Sequence, residues 1–222
     1  VHERVPDWPA EHISVVKNGV DLSRFDPDED GRTLRAELGI DPDAFVALYA
    51  GTHGQSQQLE QVVDAAVLAP EVQWVLVGQG QRKAELIKRG QGIENLTFLP
   101  AVSPDRMPEL YALADVCLVV LKDLAIFERT IPSKMFEIWA AGRPQVLGVR
   151  GEAARMLEAS GAGLAVAPED PRAMAEAVSL LAADPGLCAQ MGASGRAYVA
   201  EHFERKVLAR KYLAVLKQAA FG

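Results

Sequence analysis

Six short runs of this chain are apolar almost throughout, and helical patterns separate them. They cover 45–50, 73–77, 96–99, 116–121, 145–148 and 163–166. The first reads Phe45-Val46-Ala47-Leu48-Tyr49-Ala50, with no polar residue to mark a solvent face. Strands of that kind are buried on both faces, as in a parallel sheet covered by helices on each side. The stretches 59–68, 83–89, 108–113 and 153–159 supply the cover. The first of these sets Leu59, Val62, Val63 and Ala66 on one face. Strand–helix alternation with short links predicts a doubly wound α/β parallel sheet. From Pro171 onward the chain reads as extra C-terminal helices, broken near Pro185-Gly186 and near His202-Phe203. Earlier, 13–16 reads as a short strand and 33–38 as a short helix ended by Gly39.

The 222 residues are enough for a core that needs no covalent staples. The formal net charge of −7, with no long basic block, argues against a nucleic-acid partner. Cys117 and Cys188 stand far apart, and Cys117 lies in an apolar run, which suits a buried thiol in a reducing compartment. No apolar run approaches a membrane span and no signal peptide is visible, so the expected location is cytoplasmic. The four His residues are scattered and no paired Asp motif stands near a phosphate loop, so no metal is expected. The chain opens on Val1 rather than methionine and is expected to be a piece of a longer one.

The chemistry is expected in 127–144, a loop that turns into a short helix. Pro132 suits a helix start, Ser133 can cap it, and Gly142 and Pro144 end it. A helix start beyond a buried strand offers backbone N–H groups and a positive dipole end, which suits a phosphate. Glu128 and Glu137 flank it, and carboxylates suit sugar hydroxyls.

In doubly wound sheets the ligand lies beyond the carboxyl ends of the strands. Those ends carry Gly51-Thr52-His53-Gly54, Gly78-Gln79-Gly80, Leu99-Pro100, 122–133 and 148–152, which are expected to line one crevice. Gly51 and Gly54 allow close backbone approach, or simply a tight turn. Gly78 and Gly80 lack the third glycine of a dinucleotide fingerprint, which weighs against a nicotinamide enzyme.

Taken in order, several pieces resemble a known family. They are Asn18-Gly19-Val20-Asp21 with Phe25 and Pro27, Tyr49-Ala50-Gly51, Val77-Gly78-Gln79-Gly80, Phe98-Leu99-Pro100 and Leu110-Tyr111-Ala112-Leu113-Ala114-Asp115. Pro132-Ser133-Lys134-Met135-Phe136-Glu137 with Ala140-Ala141-Gly142-Arg143-Pro144 follows, then Gly161-Ala162-Gly163 and Pro168-Glu169-Asp170. Together they look like the carboxyl-terminal half of a group 1 (family 4) retaining glycosyltransferase, of the type that builds bacterial surface polysaccharides. Such enzymes have two facing Rossmann-like domains, the second holding a nucleotide-diphosphate sugar and the first the saccharide or lipid-linked acceptor.

The resemblance implies roles. Glu137 matches the family glutamate that binds the ribose hydroxyls. The other family glutamate, which contacts the donor sugar, would fall at Arg129; Glu128 lies one place earlier and is the candidate for that role. The family places a basic pair after the first core strand, and Thr52-His53-Gly54-Gln55-Ser56-Gln57-Gln58 has none. Lys134 is the first candidate to neutralise the leaving diphosphate, with Arg129 and Arg82 behind it and the backbone near Ile131 and Ser133 assisting. Gly78 and Gly80 would admit the base, Leu99 and Pro100 would floor it, and Glu152 could meet the sugar. His53 could bond a phosphate or sugar hydroxyl, or be structural.

The expected organisation is a linker over 1–12, a nucleotide-sugar-binding domain over 13–203, and a final helix over 204–222 that packs on a missing amino-terminal domain. No cofactor beyond the nucleotide-sugar substrate is expected. The missing domain is the expected partner and the expected route of any peripheral attachment to the inner face of the membrane. Two alternatives remain: a sugar-nucleotide epimerase of related fold, and a non-catalytic nucleotide-binding or scaffolding module, which the missing basic pair favours.

Overall fold

The computed structural model describes residues 13–221. The expected linker over 1–12 lies outside the described residues. After α1 (Arg32–Glu37), strands and helices alternate: β1 (Val46–Ala50), α2 (Glu60–Leu68), β2 (Gln73–Val77), α3 (Lys83–Arg89), β3 (Leu96–Leu99), α4 (Met107–Ala112), β4 (Val116–Val120), α5 (Lys134–Ala140), β5 (Gln145–Gly148), α6 (Glu152–Ser160) and β6 (Gly163–Ala165). Three helices follow, α7 (Pro171–Ala183), α8 (Pro185–His202) and α9 (Arg205–Phe221). The breaks between them fall where Pro185 and Phe203 stand. The expected strand over 13–16 does not form; among the described residues pairing begins at Val20, in an isolated parallel bridge to Glu204.

The six strands make one sheet of order β3-β2-β1-β4-β5-β6, parallel throughout. Chain direction across the sheet reverses between β1 and β4, which makes their carboxyl ends the topological switch point. β1 and β4 are buried at every position. Leu48, Val75, Cys117, Val119 and Leu147 join the core formed with α1, α4, α5, α6 and α8. Tyr49, Trp74, Leu76, Leu118 and Val146 join the core under α2, α3 and α7. Double-sided burial explains why the strand sequences show no polar alternation.

α5 is the element that positions the site. Met135, Phe136, Ile138 and Trp139 are buried, and Gly142 ends the helix with a positive φ of 66°. Ser133 does not cap it: the residue is helical and its side chain makes no capping hydrogen bond. The amides of Met135 and Phe136 instead donate to the Pro132 and Ser133 carbonyls within the turn. α8 lies close against α5 because two of its three glycines face that helix and the turn after it. A Cβ on Gly192 would stand 2.1 Å from the Gly142 carbonyl oxygen, and one on Gly195 would stand 3.0 Å from the Trp139 ring. Arg196 adds a hydrogen bond to the Ala140 carbonyl.

Leu208 anchors the start of α9, whereas Tyr212, Leu213 and Leu216 farther along are about half exposed. No helix among the described residues is long and apolar enough to cross a membrane.

If α8 seats α5 by this backbone approach, Gly192→Ala destabilises the fold by about 1–3 kcal/mol despite the gain in helix propensity. Urea unfolding followed by circular dichroism checks this; an unchanged midpoint contradicts it.

Candidate functional site

The expected strand-end stretches do not all line one crevice: the ends of β1 and β2 line a small space, and Ser133 lines a separate, larger one. The smaller, about 270 Å³, lies over β1 and β2 and is lined by Ala50, Gly51, Thr52, Val77, Gly78 and Gln79, with Ala101, Val102, Met107 and Leu110 closing it. The larger, about 750 Å³, runs between the 14–24 segment, the start of α5 and α9; Ser133, Glu137, Arg205 and Tyr212 are among its walls.

Lys134 and Glu137 leave α5 in different directions. Lys134 reaches to the switch point, where its Nζ donates to the Ala50 carbonyl at 2.8 Å and lies 4.2 Å from the centre of the Tyr49 ring. Gly51 makes room, since a Cβ there would stand 2.5 Å from that nitrogen. Burial pulls the Lys134 pKa down from 10.5 to about 8, against smaller upward effects from Cys117 and Glu137. An ammonium in this setting is poorly solvated, and two of its three N–H groups remain for another partner. Glu137 faces the larger space, and its Oε2 accepts from the Tyr111 hydroxyl at 3.1 Å. Tyr111 is buried, next to Leu110 of the smaller space.

The glycines serve the approach of the loops to each other. A Cβ on Gly78 would stand 1.8 Å from the Gly51 carbonyl oxygen, and one on Gly80 would stand 2.3 Å from the His53 oxygen. Gly51 and Gly78 line the smaller space; Gly54 and Gly80 lie outside its wall. Gly54 instead donates to the Gln57 side chain at 3.2 Å, closing a local turn.

Leu99 and Pro100 do not floor the cavity. The Leu99 carbonyl is held by the Lys83 ammonium at 2.5 Å and by the Gly78 amide at 3.3 Å, and Pro100 is exposed. The chain turns over the strand ends two residues later, at Ala101 and Val102. Glu152 is not open to a sugar either, because it accepts from Lys17 at 3.0 Å and from Arg155 at 2.9 Å. Arg82 is taken by Glu60 and Glu85, each at 2.5 Å. Glu128 is exposed on a 3₁₀ turn, Ala125–Arg129, whose backbone presses on Gly151. Ile131 is half-buried against the core beside α5. Among the described residues no group of three His, Cys, Asp or Glu side chains could hold a metal ion.

His53 is fully buried and neither ring nitrogen has a hydrogen-bond partner. Burial first, then the Lys83 and Lys134 charges, push its pKa down to about 4, opposed in part by the nearby Val77 carbonyl. It is a neutral packing group between the two glycine loops rather than a ligand at the surface.

A model of the family described as glycosyl transferases group 1 matches residues 44–184, which spans β1 to α7 and includes both Lys134 and Glu137. The chain belongs to the group 1 glycosyltransferases. This glycosyltransferase domain is 35% identical over 144 residues to a protein of Escherichia coli (strain K12) assigned as the colanic acid biosynthesis glycosyl transferase WcaI, covering 62% of this chain and 35% of that one. It is 28% identical over 224 residues to the GDP-mannose-dependent alpha-(1-6)-phosphatidylinositol monomannoside mannosyltransferase of Mycobacterium tuberculosis, covering 94% of this chain and 57% of that protein. Among solved structures, HepE from Anabaena in complex with UDP-glucose superposes with a TM-score of 0.82 at 20% identity, covering 95% of this chain and 58% of that one. The chain therefore spans between about a third and three fifths of the length of these relatives.

Sequence reading assigns no role to Tyr49 and Tyr111, which stand in the family-like motifs, and does not single out Ala101, Val102 or Met107. Nothing in local spacing pairs Tyr111 with Glu137, since they meet only when α4 and α5 join the same core.

With the folded pKa of His53 below its ordinary 6.5, the unfolded chain binds more protons between pH 6.5 and about 4. Stability therefore falls as pH drops through that window. His53→Gln flattens the fall between pH 6.5 and 5, as read from urea midpoints; an equally steep fall in the variant contradicts the assignment.

Proposed function

We propose that this domain is the carboxyl-terminal, donor-binding half of a retaining glycosyltransferase of surface-polysaccharide type. It binds a nucleotide-diphosphate sugar, and an amino-terminal domain of the same protein brings the acceptor. The observation that carries this reading is the Lys134 ammonium at the switch point between β1 and β4, bonded to the carbonyl of Ala50, a residue that also lines the smaller space. A poorly solvated cation at that place is suited to an anion. It also answers the missing basic pair after β1: the cation comes from α5 instead of from the loop.

The parts then have an order. The base enters the smaller space over Gly51 and Gly78. Glu137 accepts from the ribose hydroxyls, and Lys134 holds the diphosphate. Glu128, on its exposed turn, is assigned the donor sugar. As the bond to the anomeric carbon breaks, negative charge grows on the departing diphosphate, and a protonated Lys134 stabilises that charge more than it does the intact donor. The short α5 and the bonding of its Met135 and Phe136 amides within the turn shift weight in this task from backbone to ammonium. The names of the relatives support the reading, since one uses GDP-mannose and a structural neighbour holds UDP-glucose.

Calorimetric titration with uridine and guanosine diphosphates tests it. Lys134→Met and Glu137→Ala each weaken binding about tenfold or more, the cost of removing a charge-assisted hydrogen bond. Failure of the folded wild-type chain to bind either at millimolar concentration removes the proposal, and unaltered binding by both variants favours the non-catalytic module.

The pH dependence follows from the lysine. The anion binds the protonated form, so affinity falls as pH rises through about 8. Lys134→Met abolishes that slope; a slope retained in the variant assigns it to another group.

A further inference from the structure

The Tyr111 hydroxyl is a positioning donor for Glu137. We infer that Tyr111 fixes the carboxylate in the orientation that reads the ribose diol, so that this buried phenol sets the discrimination between ribonucleotide and 2′-deoxyribonucleotide donors. The inference rests on the donor-site reading above.

The geometry is specific. Tyr111 is 2% exposed, and its hydroxyl stands 3.1 Å from Glu137 Oε2. The phenol has no freedom to swing away. Its ring packs 6.2 Å from that of Phe25, and its own backbone carbonyl is held by Arg143 Nε at 3.2 Å. The same guanidinium binds the Ala112 carbonyl at 3.0 Å and the Glu29 carbonyl at 2.6 Å, which ties the end of α4 to the turn after α5. Burial, and then the Glu137 charge, raise the Tyr111 pKa well above 10, so the hydroxyl keeps its proton and acts as the donor.

A glutamate on an open helix face samples several rotamers, and ordering it on binding costs entropy. One oxygen pinned by a buried donor removes that freedom and leaves the other oxygen of this residue, which lines the larger space, for the ligand. A carboxylate fixed at one end distinguishes two adjacent hydroxyls from one, because the accepting directions no longer adjust to the ligand.

The experiment uses this chain, with uridine diphosphate and 2′-deoxyuridine diphosphate as probes and the guanosine pair in parallel, by calorimetry. Tyr111→Phe keeps the packing and removes only the hydroxyl. It weakens the ribonucleotide about fivefold to tenfold and brings the ribo-to-deoxyribo ratio toward one. A ratio and affinity equal to the wild type overturn the inference. Glu137→Asp, which keeps the charge but draws it back from the hydroxyl, gives an independent arm. In that background Tyr111→Phe has no further effect, whereas additive losses mean that Tyr111 acts through the fold and overturn the assignment. Thermal melts of each variant accompany the titrations, and if Tyr111→Phe unfolds, Glu137→Asp with an unchanged ratio overturns the inference by itself. A wild-type chain that binds no nucleotide sinks the donor reading and this inference together; wild-type binding lost in Glu137→Ala but untouched in Tyr111→Phe sinks this inference alone.

Discussion

The docking of α5 against the sheet is the contact on which the site depends. The helix has seven residues, and Met135, Phe136, Ile138 and Trp139 are all committed to the core. A helix this short has little stability of its own and holds its place through tertiary packing. Here the packing comes from β4 beneath and α8 outside, with Gly192 and Gly195 letting α8 close on the end of α5 and on Trp139. The two polar residues of the helix, three apart on one face, thereby reach different partners. Lys134 crosses the strand ends to Ala50, and Glu137 stands over the larger space. One packing decision thus sets the spacing of a cation and a carboxylate.

The electrostatics follow from that placement. The Lys134 ammonium pays for its burial with a depressed pKa, and the backbone carbonyl and the face of Tyr49 only partly replace water. His53 shares the same low-dielectric corner and stays neutral, so it adds no charge beside the lysine. A neutral imidazole can be packed without a counter-ion, which is why it fits between two glycine loops whose backbones nearly touch. The acidic balance of the whole chain therefore coexists with a locally cationic switch point.

Membership of the group 1 glycosyltransferases was legible as a resemblance of short motifs in order, above all 132–137 with 140–144, whereas glycines, prolines and apolar runs by themselves spoke only for the parallel sheet. The structural neighbours reproduce the fold at low identity, as expected when the pattern of burial outlasts the particular side chains. The misreadings share a cause as well. Leu99 and Pro100 stand at the right distance along the chain, but the Leu99 carbonyl is consumed by Lys83, and the cavity is closed by the residues that follow. Glu152 reads as an open carboxylate until Lys17 and Arg155 are seen to hold it. Ser133 reads as a cap until its backbone proves helical.

Read along the line, the residues carry the parallel sheet, the alternation of strands and helices from β1 onward, and the glycine-marked loops at the carboxyl ends of the strands. Hydrophobic period, glycine and proline act over a few residues, so they can be read along a line. That Lys134 meets Ala50, that Tyr111 meets Glu137, and that Arg82 and Glu152 are held by neighbours emerges from the packed fold alone. Those outcomes depend on which long side chain reaches which partner across packed elements. Burial and hydrogen-bond competition settle that, and neither leaves a mark on local spacing.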